Sequence, residues 1–246
     1  MKKDLLLDFH KNTYMRLEKV KKDKKSFPVP WVKIFFKNYP RFNSTKLSKP
    51  RISTKLLDKC IIKRESFRDF IKKPLSKQQI SDILYYSAGI INLKKVNNWN
   101  ETRRGYPSAG GRFPIEIYTA IFNVKGINKG IYHYNVKNHS LELMLSGDYR
   151  NKLYNCIFQD MVKTCSTLII LSAVFDRTRV KYGDRAYRYI FLDAGHLTQN
   201  IYLKSASLNI GCCALGGFSD KKIDKLLDLK KDEENVIYIS ALGVKK

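Results

Sequence analysis

Residues 168–215 read LIILSAVFDRTRVKYGDRAYRYIFLDAGHLTQNIYLKSASLNIGCCAL, and their pattern indicates a strand, a long helix and a second strand. The apolar run Leu168–Phe175 is typical of a buried strand. From Asp184 to about Leu208, apolar or small residues recur every three or four positions, which predicts a long amphipathic helix: Ile190, Ala194, Leu197, Ile201, Ser205 and Leu208. Ile210–Leu215 predicts the second strand.

The segments upstream of this stretch add one more helix and antiparallel strands. Ser76 and Gln79 form a capping-box pattern for a helix that ends near Gly89. Residues 115–122 are apolar on both faces, which predicts a central strand. Two short apolar runs flank a polar turn and predict a hairpin: residues 131–134 and 141–145.

The remaining segments complete the predicted order of elements. Residues 149–161 have a helical pattern, whereas residues 92–104 are polar, without periodicity, and predict a loop. A short helix at 220–228 and a strand at 236–242 follow the long helix. Helices mixed with antiparallel strands predict an α+β fold.

The basic N-terminal segment differs in composition from the rest of the chain. Residues 1–60 contain 17 basic and 5 acidic residues, against 47 and 22 in the full 246 residues. Residues 31–36, WVKIFF, are too apolar to remain in solvent. We therefore predict that residues 1–55 form an extension packed on a main domain at 56–246.

Composition and sequence patterns also exclude several classes of protein. The net charge of +25 favours an acidic partner. No apolar run approaches the roughly 20 residues of a membrane span, and the N-terminus lacks a secretory signal pattern. Five irregularly spaced cysteines predict neither a disulfide framework nor a zinc site, so we expect a reduced, cytoplasmic setting without a metal.

The first candidate motif is Arg64-Glu65-Ser66-Phe67-Arg68. In an extended stretch, residues two apart share a side, so Arg64, Ser66 and Arg68 would present two guanidinium groups and a hydroxyl together. That set suits a phosphate or the polar edge of a heterocycle. The alternative is an ordinary basic surface.

The second candidate motif is the small-residue segment Pro107-Ser108-Ala109-Gly110-Gly111-Arg112-Phe113-Pro114. Two glycines allow a close approach of the backbone to a ligand, and free amides can donate hydrogen bonds. The alternative is a simple loop leading into the next strand.

The third candidate motif, residues 181–189, reads KYGDRAYRY and is predicted to be a loop before the long helix. Lys181 and Tyr182 could act as an acid–base pair, because an ammonium group favours a nearby phenolate. The arginines and tyrosines could instead hold RNA by charge and stacking. A third interpretation is that Tyr187 packs at the base of the helix and the arginines are solvated.

The fourth candidate motif, residues 214–218, reads ALGGF and follows a predicted strand. Its backbone could lie against a flat ring, or it could be an ordinary strand-to-helix turn.

Asp193, His196 and Asn200 share one side of the long helix, but they are too few for a metal site. We expect His196 to pack or to form a hydrogen bond, and Cys212 and Cys213 to be packing residues.

Taken in order, these four motifs resemble the nitroreductase-like flavoproteins, and among them the SagB-type branch of azoline dehydrogenases. The first motif extends to Arg64-x-Ser66-x-Arg68-x-Phe70, the second begins at Arg104, and Lys181-Tyr182 resembles the catalytic pair of the branch. Further matches lie in the long helix and near the C-terminus: Gly195-His196, Gln199-Asn200, Gly216-Gly217-Phe218 and Gly243. The resemblance covers about residues 60–246, and residues 8–13 are similar to the start of the branch.

This resemblance implies an α+β sandwich, with a mostly antiparallel sheet flanked by helices, that forms a homodimer and binds FMN at the subunit interface. The catalytic pair would be Lys181 and Tyr182. The implied cofactor-binding residues come from the other three motifs and the C-terminus: Arg64, Ser66, Arg68, Pro107, Ser108, Ala109, Gly110, Gly111, Ala214, Leu215, Gly216, Gly217 and Lys245. Gly216 stands where typical nitroreductases often have an acidic residue, which argues against nitroaromatic reduction.

The implied reaction is the oxidation of an azoline ring in a ribosomally made precursor peptide to a thiazole or oxazole. Tyr182, assisted by Lys181, would remove a proton, a hydride would pass to flavin N5, and oxygen would reoxidise the flavin. A cyclodehydratase would be an expected partner. The alternatives are a general NAD(P)H-dependent flavin reductase, a reductase of dehydroamino-acid peptides and a basic nucleic-acid-binding protein, although no nucleic-acid motif is apparent.

Overall fold

The computed structural model describes residues 8, 9, 11, 56–96 and 99–246, and a seven-stranded sheet forms its centre. Strands β1 to β11 have the following bounds: Phe70–Ile71, Leu75–Ser76, Ile90–Val96, Trp99–Arg104, Ile115–Ile121, Val124–Lys125, Gly130–Asn135, Ser140–Ser146, Thr167–Val174, Ile210–Leu215 and Glu234–Lys245. The central sheet has the order β1-β11-β9-β5-β7-β8, and β10 also pairs with β11. Its pairs are antiparallel, which confirms the predicted fold class.

Six α-helices are described beside the sheet, in the ranges given above. Helices α1 to α6 have these bounds: Leu56–Lys63, Lys77–Ala88, Arg150–Tyr154, Asp176–Tyr182, Ala186–Ser207 and Asp220–Leu226. At the start of α2, Gln79 N donates to Ser76 Oγ at 3.1 Å, and Ser76 N donates to Gln79 Oε1 at 2.8 Å. The predicted capping box and the long helix, α5, are therefore confirmed.

The sheet separates two apolar cores, because successive side chains of a strand point to opposite faces. On β9, Ile169 and Leu171 face a core built with α2 and α5, whereas Leu168 and Ile170 face a core built with α3 and α6. Strand β5 lies between β9 and β7, as predicted for a segment apolar on both faces. The molecule is a sandwich of helices on both sides of the sheet.

Three local predictions are wrong. Residues 92–104 are not a loop, because β3 and β4 form a hairpin. These strands pair only with each other in the described structure, and their polar sequence gives no strand pattern. Residues 149–161 contain only the short α3 and the first turn of a 3-10 helix at Asp160–Lys163. Lys181 and Tyr182 end helix α4 rather than lying in a loop.

Most of the predicted N-terminal extension lies outside the described residues, so its packing stays a prediction. Within the described part, the rings of Phe9 and Tyr187 lie edge to face at 5.1 Å, and Lys11 Nζ is 2.7 Å from Asp232 Oδ1. No described helix is long and apolar enough to cross a membrane. The described residues contain no cluster of three or more potential metal ligands, and all five cysteines are buried and free.

Candidate active site

The first motif lies between strand β10 and helix α5. Phe67 N donates to the carbonyl of Cys212 at 2.9 Å, which fixes the motif beside β10. Ser66 Oγ is 3.0 Å from Tyr202 Oη, and the Arg64 guanidinium carbon is 5.6 Å from the centre of the Tyr202 ring. Arg68 Nη1 donates to the carbonyl of Ser66 at 2.9 Å. The structure therefore brings Arg64, Ser66 and Arg68 together.

Tyr202 joins the first motif to the fourth. Ala214 N donates to Tyr202 Oη at 2.7 Å. Because a hydroxyl can donate and accept at once, the same oxygen also bonds Ser66 Oγ. Burial raises the pKa of Tyr202, which keeps this hydroxyl protonated. Sequence reasoning missed Tyr202, since nothing distinguishes it from the other aromatic residues on the buried face of α5.

The C-terminal strand also reaches the first motif. Lys245 pairs with Phe70 across β11 and β1, and its Nζ is 2.7 Å from Glu65 Oε1. Phe70 approaches the sheet closely, because a Cβ at Gly243 would lie only 2.8 Å from its ring. We call Arg64, Ser66, Arg68, Tyr202 and Lys245 the arginine cluster. Its three cations suit an anionic group such as phosphate.

The second and third motifs meet at Gly110. This residue has a φ of +60°, and a Cβ on it would lie 2.5 Å from Tyr182 Oη and 2.8 Å from Lys181 Nζ. Lys181 Nζ is 5.5 Å from the centre of the Tyr182 ring. A side chain at residue 110 would therefore have to displace the ends of Lys181 and Tyr182. We call Ser108, Gly110, Lys181, Tyr182 and Asp193 the Lys–Tyr cluster.

Helix α5 holds the loop of the second motif in place. Ser108 Oγ donates a short hydrogen bond to Asp193 and accepts one from Phe113 N at 2.8 Å. Asn200 Nδ2 donates to the carbonyl of Gly105 at 2.7 Å. Burial raises the pKa of the Asp193 carboxyl. The sequence predicted that Asp193 and Asn200 share one side of α5, and that shared side is the signal that both could hold the loop. His196, which was predicted to lie on the same side, is exposed.

The sheet holds helix α4, which carries Lys181 and Tyr182. Arg177 of α4 forms an ion pair with Glu116 of β5, and Glu116 Oε2 is also 2.8 Å from His133 Nε2. Hydrogen bonds to the two flanking glutamates raise the pKa of His133 to about 9. Arg112 Nε donates to the carbonyl of Arg177 at 2.5 Å, so the loop and the helix are also joined directly.

The fourth motif contributes backbone rather than side chains. Leu215 is buried in the core, whereas Gly216 is exposed with open space around its Cβ position. The carbonyl of Gly217 accepts a hydrogen bond from Phe158 N at 3.1 Å. Ala214 remains within reach of the arginine cluster through Tyr202. The exposed backbone beside Gly216 can therefore face a ligand.

The arginine cluster and the Lys–Tyr cluster lie on different parts of α5. Asp193 and Tyr202 are nine residues apart, which corresponds to about 13.5 Å along the axis and about two and a half turns. They occupy opposite edges of the buried face of the helix. The two clusters are therefore separate places on the same chain.

Comparison with known proteins assigns this chain to a family. The Nitroreductase family model matches residues 61–244, and the chain belongs to that family. The nitroreductase-like protein MJ1384 of Methanocaldococcus jannaschii is 32% identical over 186 residues, covering 74% of this chain and 89% of its own. Members of the family are FMN oxidoreductases.

Two further relatives process peptides. The trifolitoxin-processing protein TfxB of Rhizobium leguminosarum bv. trifolii is 25% identical, covering 64% of this chain and 45% of its own. The microcin B17-processing protein McbC of Escherichia coli is 23% identical, covering 57% of this chain and 54% of its own. The chain thus spans about half the length of these two relatives.

The likeness to solved structures supports the fold. The Escherichia coli microcin synthetase McbBCD complex with truncated pro-MccB17 contains a chain with a TM-score of 0.78 and 19% identity. That match covers 98% of this chain and 92% of the other. A nitroreductase-like protein from Ralstonia eutropha has a TM-score of 0.64 and 24% identity, covering 81% and 88%.

Proposed function

We propose that this protein is an FMN-dependent oxidoreductase that oxidises azoline rings in a precursor peptide. The observation that carries the proposal is the contact of Gly110 with Lys181 and Tyr182. It joins two motifs about 70 residues apart into an arrangement suited to acid–base chemistry. Two relatives, TfxB and McbC, are peptide-processing proteins, which supports a peptide substrate.

The arginine cluster fits the cofactor. Arg64, Arg68 and Lys245 supply permanent or nearly permanent positive charge for the phosphate of FMN. Ser66 and the exposed backbone at Gly216 offer hydrogen-bonding groups to the polar edge of the ring. When bound, FMN supplies the hydride acceptor of the reaction.

The Lys–Tyr cluster supplies the proton transfer. The Cα–H of an azoline is acidified by the adjacent carbonyl and C=N groups, so a phenolate can remove its proton. Tyr182 Oη accepts that proton, and the Lys181 ammonium stabilises negative charge on the oxygen before transfer. Asp193 acts through Ser108 and the amide of Ala109, by positioning the loop that contains Gly110.

A homodimer would bring the two clusters together. The outer side of α5 exposes Phe191 and Leu192, which are 38% and 56% exposed. The adjoining α1 exposes four more apolar side chains: Leu56, Leu57, Ile61 and Ile62. Apolar surface on two packed helices favours association with a second copy. The precursor peptide and a cyclodehydratase complete the proposed set of partners.

The second candidate function is a general NAD(P)H-dependent reductase. The 32% identity to MJ1384, whose name describes a nitroreductase, favours it. Anaerobic addition of NADPH to the flavin-loaded protein separates the two functions. Rapid bleaching of the flavin supports the reductase, whereas bleaching only by an azoline peptide supports the dehydrogenase.

The deciding experiment starts from the visible absorbance spectrum of the purified protein and identification of its released cofactor by mass. FMN binding, followed by formation of an azole from a synthetic azoline peptide, supports the proposal. Tyr182→Phe and Lys181→Met should retain FMN but lower turnover by at least about 100-fold, the usual contribution of general acid–base catalysis. Tyr154→Phe, which removes a tyrosine hydroxyl bonded to Asp160 outside both clusters, is the matched control. A protein that takes up no FMN contradicts the proposal.

A further inference from the structure

A strip of positive charge borders the Lys–Tyr cluster. Arg112 follows the Gly110 loop and donates to α4, whereas Arg185 follows α4 and donates from Nε to Tyr189 Oη at 3.1 Å. The rings of Tyr189 and Tyr182 are 4.9 Å apart. Arg112 is thus two residues from Gly110, which approaches Lys181 and Tyr182, and Arg185 bonds Tyr189, whose ring meets that of Tyr182. We call Arg112, Lys181, Arg185 and Arg188 the cationic strip.

The cationic strip is available to a ligand. All four side chains belong to exposed residues. Among the described residues, none of the four forms an ion pair with a carboxylate. Asp184 is the single acidic residue of the segment 181–188, which has three basic ones. Because Arg185 uses Nε for Tyr189, its two terminal nitrogens remain free for bidentate contact with a carboxylate.

The aromatic residues of the same segment are already packed. Tyr182 and Tyr189 lie edge to face with each other. Tyr187 stacks on Phe175 at 6.1 Å and meets the ring of Phe9 at 5.1 Å. These rings are engaged within the protein, whereas recognition of single-stranded nucleic acid uses free aromatic faces on which bases stack. Charge without free stacking surfaces favours an acidic peptide.

We propose that the cationic strip binds acidic side chains that flank the reacting residue of the peptide substrate. This inference rests on the proposed function, because it names the class of peptide that the same site takes. Guanidinium groups beside Lys181 and Tyr182 attract carboxylates during encounter and orient the chain across the catalytic pair. The substrate is therefore a peptide with Asp or Glu near the ring that is oxidised.

The experiment compares two fluorescein-labelled peptides with the FMN-loaded protein by fluorescence anisotropy. Both contain Gly, Ser and Cys, and one ends in four Asp where the other ends in four Asn. We expect the acidic peptide to bind about tenfold more tightly at low salt, a difference of about 1.4 kcal/mol. High salt should remove the difference.

Two variants that each remove one positive charge test whether the cationic strip is the surface that binds the peptide. Arg185→Gln should remove most of the preference and leave the flavin spectrum unchanged. Lys137→Gln, in the exposed turn between β7 and β8, removes the same charge at a remote place and should leave the preference intact. Equal binding of the two peptides, or equal effects of the two variants, would overturn the proposal.

Two other outcomes are distinguished by the same measurement. An oligothymidylate that displaces the acidic peptide and binds more tightly than it would also overturn the proposal, because the strip would then be a nucleic-acid surface. Failure of the proposed function has a separate signature, namely the absence of FMN from the purified protein. A flavin-loaded protein without peptide preference contradicts only the inference about the strip.

Discussion

Gly110 is the residue at which the candidate active site depends on the absence of a side chain. Its neighbour Gly111 also has a positive φ, of +65°, but no atom lies within 4 Å of its Cβ position. The two glycines therefore share the same backbone requirement and differ in their contacts. Comparing alanine variants of the two glycines therefore separates the cost of backbone strain from the effect on the positions of Lys181 and Tyr182.

We predict that Gly110→Ala lowers azoline-peptide turnover by at least about tenfold, because the new methyl group displaces Tyr182 Oη and Lys181 Nζ. Gly111→Ala should cost about 1 kcal/mol of stability through its positive φ but retain most turnover. Turnover and the melting temperature of both variants are measured together. Equal turnover in the two variants would show that the contact is unimportant.

Tyr202 is the second residue whose role appears only in the structure. Its hydroxyl holds Ser66 of the first motif and Ala214 of the fourth. Without that oxygen, the amide of Ala214 and the hydroxyl of Ser66 lose a buried partner. The arrangement of the arginine cluster therefore depends on a side chain that need not touch the cofactor.

We predict that Tyr202→Phe weakens FMN binding about tenfold, since an unsatisfied buried donor costs about 1–3 kcal/mol. FMN affinity is measured by the change of flavin fluorescence on titration. Tyr132→Phe is the control, because it removes a tyrosine hydroxyl bonded to the carbonyl of Asn128, at 2.9 Å, on the sheet. Similar losses of FMN affinity in both variants would contradict the assignment.

At the scale of elements, helix α4 is held by charge as well as by packing. Glu116 of β5 contacts Arg177 of α4 and His133 of β7, and His133 Nδ1 is 2.9 Å from Glu142 Oε2 of β8. Three strands and the helix that carries Lys181 and Tyr182 thus meet in one ionic network. Its charge state depends on His133.

We predict that stability falls as the pH rises toward 9. The pKa of His133 is raised from 6.5 to about 9 in the folded protein, so its contribution is fully present below pH 6.5 and is lost as the pH rises through about 9. The loss should be on the order of 1–3 kcal/mol. Chemical denaturation across this range should show a slope that His133→Gln flattens.

The exposed His196 on α5 provides the control for this measurement. His196→Gln should leave the slope of the free energy of unfolding unchanged, since the network does not include that residue. A wild-type protein whose stability is constant between pH 6.5 and 9 would contradict the assigned protonation of His133.

At the scale of the whole molecule, the arginine cluster and the Lys–Tyr cluster are separated along α5. The proposed dimer would bring one cluster of each subunit next to the other cluster of its partner. Leu192 lies on the exposed side of α5, one turn before Gly195. Leu143 is similarly exposed, at 54%, but lies on β8 at the edge of the sheet. The pair tests whether the helical face, rather than exposed apolar surface in general, mediates association.

The proposed dimer has twice the chain mass of 28.7 kDa. We predict that Leu192→Glu converts this dimer into a monomer and weakens FMN binding. A charge buried in an apolar interface is not compensated there. Leu143→Glu should leave the dimer intact. Light scattering coupled to size-exclusion chromatography measures the mass, and a wild-type monomer that binds FMN would refute the proposed arrangement.

Local patterns in the sequence were sufficient for the main elements and for the family. The capping box of Ser76 and Gln79, the spacing of apolar residues along α5 and the two-sided apolar strand β5 reflect contacts that repeat within one element. The same short-range logic failed for β3 and β4, whose residues are mostly polar but pair with each other as strands. It also failed for Lys181 and Tyr182, whose polar segment is helical because Arg177 is held by β5.

The assembly of the site was decided by tertiary structure. Strand β5 follows the loop that contains Gly110, and strand β9 precedes helix α4, which contains Tyr182. Gly110 meets Tyr182 because β5 and β9 are adjacent and in fixed register. Ser66 meets Tyr202 across 136 positions in the chain. The sequence determined the element types and the candidate motifs, since these depend on neighbours a few residues away. Only the tertiary structure decided which motifs meet, because such contacts depend on strand register and on the packing of α5 against the sheet.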